Sequence, residues 1–189
     1  MQKDGKNIVV IAASTGGPKV LFELFSNLPS LRVAVIIVQH IPRAFYESLA
    51  ERLNAVSAMG IGVAHDRQAL QEGQGYVAPS GVHLRLHRNE SVRLYSGEKV
   101  NFVCPSADTT MQSLARQSER RLMGIVLTGM GRDGANGIVH MKSLGATNIA
   151  QDPSTAAVAS MPRAAIETGA VDLVLTPAQI RDKLILFFR

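Results

Sequence analysis

The chain lacks most of what would tie it to an oxidising compartment or a bilayer. Its 189 residues include one cysteine, Cys104, and no tryptophan. A single thiol cannot close an internal disulfide, which excludes a cystine-stapled secreted scaffold and makes a reducing cytoplasm the expected localisation. No apolar run approaches the roughly 20 residues of a membrane-spanning helix, the longest being 33–38. The opening MQKDGKN leads straight toward a strand without a signal-peptide pattern, so the expected protein is not integral to a membrane. Aromatic residues are few, at three Tyr and six Phe. That leaves little to stack bases, and no fingerprint supports nucleic acid as a partner.

Charge of either sign is also modest. Twenty Lys and Arg against fifteen Asp and Glu give a net charge of +5 and a sequence pI near 9.7. The small basic groups Arg85/Arg88/Arg93 and Arg116/Arg120/Arg121 read as solvated surface, or as an attraction for an acidic protein. An apolar share of 46% with 19% charged residues excludes a disordered chain. No repeat, low-complexity stretch or linker interrupts it, so 1–189 is expected to be a single domain.

What the chain does have is alternation. Apolar strands are expected at 7–11, 31–38, 61–64, 74–78, 123–127, 147–150 and 171–175. Between them, helical spacing relates Leu21, Leu24, Phe25 and Leu28, then Phe45, Leu49 and Leu53, then Met111 and Leu114 in a helix from a Ser106 N-cap to about residue 121. Ile138, Met141 and Leu144 mark another helix, stopped by Gly145, and 160–167 is a short one. Thr176-Pro177 opens the last, with Ile180, Leu184, Phe187 and Phe188 apolar. Residues 82–95 alternate strictly around RNES, an antiparallel hairpin with a wet face on which His83 and His87 are surface histidines. The pattern predicts a doubly wound α/β fold. Its mainly parallel, about seven-stranded sheet carries helices on both faces, with the hairpin and a short antiparallel edge added.

Three residues share an address in such a fold. Ser14, His40 and Asp133 each lie just past an expected strand, and in a parallel sheet those ends form one edge, where open α/β folds place their ligand crevice. A serine hydroxyl needs a histidine to take its proton, and a buried carboxylate fixes the tautomer of that imidazole. Gly16 and Gly17 beside Ser14 allow close approach of backbone to a ligand. Each residue also has a purely structural use: Ser14 as a helix N-cap, His40 as a hydrogen-bonded histidine after a buried strand, Asp133 as a cap of the helix that follows it. Phosphate-binding alternatives fit less well. Gly17 is followed by Pro18-Lys19 rather than Lys-Ser/Thr, and Gln39-His40 stands where a dinucleotide fold needs an acidic residue. Cys104 is a second conceivable nucleophile, though a lone cysteine more often serves as a small buried hydrophobe.

The motifs IAASTGGP at 11–18, QHIPRAFYESLAERLN at 39–54, YVAPSGVHL at 76–84, PSAD at 105–108 and LTGMGRDGANG at 127–137 resemble the catalytic domain of the CheB family. AQDPSTA, followed by MPRAAI, adds to the likeness. These are chemotaxis protein-glutamate methylesterases that also deamidate glutamine. The resemblance implies a catalytic triad of Ser14, His40 and Asp133, with backbone near Met130 and with Thr15 next to the nucleophile taking part. It implies hydrolysis of glutamate γ-methyl esters on a methylated chemoreceptor, with no metal and no cofactor. A catalytically silent interaction module of a signalling pathway is the alternative. The family pattern usually carries a receiver domain and linker ahead of this one, whereas Met1 stands six residues before the first strand, so 1–189 is read as the catalytic domain alone. Ala12 replaces the first glycine of the family's G-A-S-T-G-G, where its methyl is expected to crowd the turn. Cys104 stands where an arginine often precedes the PS-x-D motif.

Overall fold

A computed structural model describes residues 6–116 and 121–189. The centre is β1 (Ile8–Ala13), whose six apolar residues are all buried because both faces of the strand are covered. One set of alternate residues, Val9, Ile11 and Ala13, faces α1 (Gly17–Phe25), α2 (Tyr46–Val56) and α6 (Pro177–Phe188). The other set, Ile8, Val10 and Ala12, faces α3 (Ala107–Gln112), α4 (Ala135–Ser143), α5 (Ser160–Glu167) and the hairpin of β5 (His83–His87) and β6 (Ser91–Tyr95). The period of two therefore sorts the strand into two cores, each fully buried aliphatic side chain adding about 1.5–3 kcal/mol.

The remaining sheet strands are β2 (Ala34–Gln39), β3 (Gly60–Val63), β4 (Gln74–Val77), β7 (Leu122–Val126), β8 (Thr147–Gln151) and β9 (Leu173–Leu175). They lie in the order β3-β4-β2-β1-β7-β8-β9. Every pairing in this sheet is parallel, so among the described residues the expected antiparallel edge is absent. The chain leaves β1 for one side of the sheet and returns to its other side at β7. The carboxyl end of β1 is therefore the switch point, where the crevice of a doubly wound sheet opens.

Several expectations shift in detail. β2 begins at Ala34 rather than 31, because the Val33 N–H turns back to the Leu31 carbonyl (2.9 Å) and the Arg32 N–H goes to Phe188 (2.9 Å). α3 ends at Gln112 rather than continuing toward residue 121. The Ser113 hydroxyl donates to the Thr110 carbonyl (2.6 Å) and accepts the Leu86 N–H (2.8 Å), while Asn89 of the hairpin turn brackets the backbone of Ala115. Residues 117–120 of that expected helix, with Arg120, lie outside the described residues. Phe45 is exposed at the start of α2 instead of joining Leu49 and Leu53 inside. His83 is buried at 1% exposure, not a surface histidine.

Candidate active site

The parallel register carries the site. Ala13 pairs with Gln39 and Ala12 with Val126, and the ladder runs one residue past the strands. The His40 N–H donates to the Ala13 carbonyl (2.9 Å), and the Ser14 N–H donates to the Thr128 carbonyl (3.0 Å). Ser14 and His40 thus follow adjacent strands about 4.8 Å apart. Just after Ser14 the chain turns sharply, the Gly17 N–H closing onto the Ser14 carbonyl at 2.8 Å. The left-handed residue of this turn is Gly16 (φ 80°), while Ser14 keeps a negative φ. Gly16 is also the N-cap of α1, and no side chain caps that helix, so the Ser14 hydroxyl is not engaged there.

Neighbours hold this turn from both sides. Gln39 Nε2 donates to the carbonyls of Ser14 (2.9 Å) and His40 (2.8 Å). Thr128 Oγ1 donates to the Thr15 carbonyl (2.9 Å) and accepts the Val158 N–H (3.0 Å). Gly17 is buried, and a methyl on it would stand 2.1 Å from Gln39 Oε1; its bareness makes room for that amide. A methyl on Gly16 would stand 2.7 Å from Ala157 Cβ. Ala12 lies within β1, not in the turn, and its methyl faces bare Gly134, where an added Cβ would be 3.1 Å away. The expected crowding of the turn by Ala12 is therefore absent.

His40 and Asp133 meet directly, His40 Nε2 lying 2.8 Å from Asp133 Oδ2. Among the described residues His40 Nδ1 is buried with no hydrogen-bond partner. With Asp133 ionised, Nε2 carries the proton and Nδ1 the lone pair. The imidazole is thus turned the other way from the serine-protease arrangement, in which Nδ1 faces the carboxylate. Asp133 does not cap α4, whose N-cap is Gly134 without a side-chain bond. Its carboxylate instead accepts from the start of α3: the N–H groups of Ala107 (2.7 Å) and Asp108 (3.1 Å) and the Ser106 hydroxyl (2.7 Å). Asn101 Nδ2 adds a further bond at 3.2 Å. Burial works to raise the Asp133 pKa, but the bonds from His40, Ser106 and Ala107 outweigh it and hold the carboxyl below the usual range.

A second carboxylate completes an exchange of caps. Asp108, in the first turn of α3, accepts the Gly134 (2.9 Å) and Gly137 (2.7 Å) N–H groups at the start of α4. Each helix start is therefore satisfied by an acid from the other segment, a favourable use of the positive helix end. Asn101 Nδ2 joins the two acids, lying 2.8 Å from Asp108 Oδ2. Burial raises the Asp108 pKa, reinforced by the Asp133 charge and opposed by the Gly137, Asn101 and Gly134 bonds. Buried His83 ties the loop down, lying 2.8 Å from the Glu98 carbonyl through Nε2 and accepting the Ser106 N–H at Nδ1 (3.2 Å).

Opposite this frame lies the loop of Met130. Ser160 Oγ donates to the Gly129 carbonyl (2.9 Å) and accepts the Gly131 N–H (3.1 Å), clamping the peptide on either side of Met130. Among the described residues the amide N–H groups of Thr15 and Met130 donate to no other protein group. They are the free donors nearest the serine in sequence and across the sheet. A methyl on Gly129 would be 2.6 Å from Ser14 Cβ and 2.2 Å from Met161 Sδ, so this loop approaches the serine with no room to spare. Cys104 is a half-buried free thiol. Burial pushes its pKa up despite Lys99, which lowers its thiolate content and its fitness as a nucleophile.

Asp108, Asn101, Thr128, Gln39 and Ser160 join the site only through the tertiary structure. PSAD and QH carried a signal for Asp108 and Gln39, but a donor's target is tertiary information.

Residues 9–184 match the family model described as CheB methylesterase. A protein of Pyrococcus horikoshii named protein-glutamate methylesterase/protein-glutamine glutaminase is 41% identical over 181 residues, 94% of this chain and 49% of that protein. Proteins of the same name from Haloarcula marismortui and Clostridium acetobutylicum are 42% and 36% identical, over 94% and 100% of this chain and 49% and 55% of theirs. The chain spans about half the length of the curated relatives it matches. The CheB methylesterase catalytic domain of Thermotoga maritima superposes with a TM-score of 0.89 at 36% identity, covering 96% of this chain and 98% of that one. A match of this extent, on a sheet edge built as described, leads to one conclusion: the chain belongs to the CheB methylesterase family.

Proposed function

We propose that the chain is a cytoplasmic serine esterase that hydrolyses glutamate γ-methyl esters on a methylated chemoreceptor, and that it also deamidates glutamine. Relatives named protein-glutamate methylesterase/protein-glutamine glutaminase support the activity. The observation that carries the mechanism is the His40 imidazole, paired to Asp133 through Nε2, at the strand end next to Ser14. Its buried Nδ1 is bonded to no group among the described residues, Ser14 Oγ included, so the serine must close on it when the ester binds.

In this mechanism Ser14 Oγ attacks the ester γ-carbonyl while His40 Nδ1 takes its proton. The tetrahedral oxyanion accepts from the Thr15 and Met130 amides, donors of a kind worth roughly 3–4 kcal/mol each in the transition state. Collapse expels methanol, which takes the proton from His40 and leaves a glutamyl ester on Ser14. Water, deprotonated by His40, cleaves that ester and restores the serine. Asp133 remains ionised throughout and stabilises the transient imidazolium. On a glutamine the same steps release ammonia in place of methanol. The chain's own groups supply every proton transfer in these steps.

The test uses receptor peptides carrying either glutamate methyl ester or glutamine, with methanol and ammonia assayed for the wild type and Ser14→Ala. A loss of about 10⁴-fold or more in Ser14→Ala is expected. Equal rates would leave a silent interaction module as the better account, and dependence on Cys104 would make the enzyme a thiol esterase.

A further inference from the structure

The loop before α3 contains a two-residue turn with an unusual occupant. Val100 and Val103 exchange both backbone hydrogen bonds, each at 3.1 Å. Asn101 (φ 52°) and Phe102 (φ 66°) between them are both left-handed. Asparagine suits this position and glycine is what normally follows it; a bulky ring there is an outlier. Phe102 is 95% exposed, so no packing in the fold repays the conformation. Its neighbour Asn101 donates to Asp133 and Asp108. One turn therefore holds the triad carboxylate with its first central residue and presents a bare aromatic ring with its second.

The segments that carry Asp133 and His40 also expose apolar side chains. Met130, three residues before Asp133, is 76% exposed, and Phe45, five residues after His40, is 56% exposed. Lys99, Arg132 and Arg43 are exposed cations in the same three segments, with Glu98 and Glu47 the acidic side chains beside them. Apolar side chains interspersed with cations at the catalytic edge complement a segment that carries apolar residues around its glutamates.

We propose that the 100–103 turn is a substrate-gripping element. Phe102 is the specificity-determining contact for an apolar side chain next to the reacting glutamate, and Asn101 is the positioning residue that links this contact to Asp133. The proposal rests on the esterase reading above. It gives the left-handed phenylalanine a use: the closed turn fixes the backbone that carries the ring, so little backbone freedom is lost when a substrate covers it.

The experiment compares kcat/KM for a methylated receptor fragment with that for N-acetylglutamine-sized glutamate γ-methyl ester, which lacks flanking residues. Phe102→Gly accepts the left-handed backbone and removes the ring. It should lower the ratio of the two kcat/KM values by about tenfold or more, chiefly through KM on the receptor fragment. Its Tm should equal or exceed that of the wild type, because the backbone outlier is relieved. Phe102→Leu should recover part of the ratio. Asn101→Ala should lower kcat on both substrates and alter the pH-rate profile. An unchanged ratio in Phe102→Gly overturns the proposal. So does conversion of an oligomer to a monomer in sedimentation, which would mean that a second copy covers the ring. Absence of Ser14-dependent turnover on both substrates in the wild type would instead remove the esterase reading beneath it.

Discussion

Among the described residues Asp133 accepts from five donors, three on Oδ1 and two on Oδ2, and an amide cannot serve them all. In Asp133→Asn an NH₂ facing Oδ2's partners would oppose the Ala107 N–H and drive His40 into the tautomer with its proton on Nδ1. In the proposed mechanism that imidazole could not take the serine proton. The expected outcome is a fall of about 10⁴-fold in kcat, together with a loss of about 2–3 kcal/mol from the buried N–H left unpaired, read by urea unfolding. Gly129→Ala makes a different point at the same scale. Its methyl would press on Ser14 Cβ and Met161 Sδ. Activity should fall at least tenfold and the melting temperature should fall with it, since the methionine can yield but the overlap with Ser14 Cβ moves the nucleophile's own backbone.

Among the elements, the start of α5 decides how well the Met130 loop is held. Ser160 Oγ bridges Gly129 and Gly131 and is the first residue of that helix, so helix and loop are locked together. Ser160→Ala removes the bridge without touching Ser14, His40 or Asp133. In the proposed mechanism a less ordered Met130 amide should lower kcat by about tenfold with KM little changed, because it would act on the transition state more than on the bound ester. Stability should fall by only about 1 kcal/mol. Steady-state kinetics on the methyl ester separates this from a fold-wide effect. α3 shows why such partners are hard to read from sequence. Its helical spacing continues past Gln112, yet bonds from Ser113 and Asn89 to backbone end it there, and those bonds join residues about 26 positions apart.

For the whole molecule, the paired helix starts predict two opposite responses to pH. The Asp133 carboxyl is lower in the folded protein than in the unfolded chain. Its stabilising share is therefore present above the ordinary carboxylate range and is lost as pH falls through its depressed value. The Asp108 carboxyl is raised, so the folded state favours its protonated form. That share is present below the ordinary range and is lost as pH rises through the raised value. Urea midpoints measured from pH 3 to 7 should show the deficit of Asp133→Asn shrinking toward acid. Asp108→Asn should gain on the wild type as pH rises. Parallel curves for the wild type and both variants would contradict the assignment of these two acids.

By itself the sequence determined the alternation of strands and helices and the positions of Ser14, His40 and Asp133 after apolar strands. These follow from local periodicity and turn chemistry, which adjacent residues carry between them. It also contained the family motifs that the comparisons bear out. Tertiary structure alone decided the all-parallel order of the sheet and the burial of His83. It also decided which imidazole nitrogen faces Asp133 and which acid caps which helix. Those features are set by where segments land after the chain has crossed the sheet, and a hydrogen bond depends on distance and direction in space rather than on spacing in sequence.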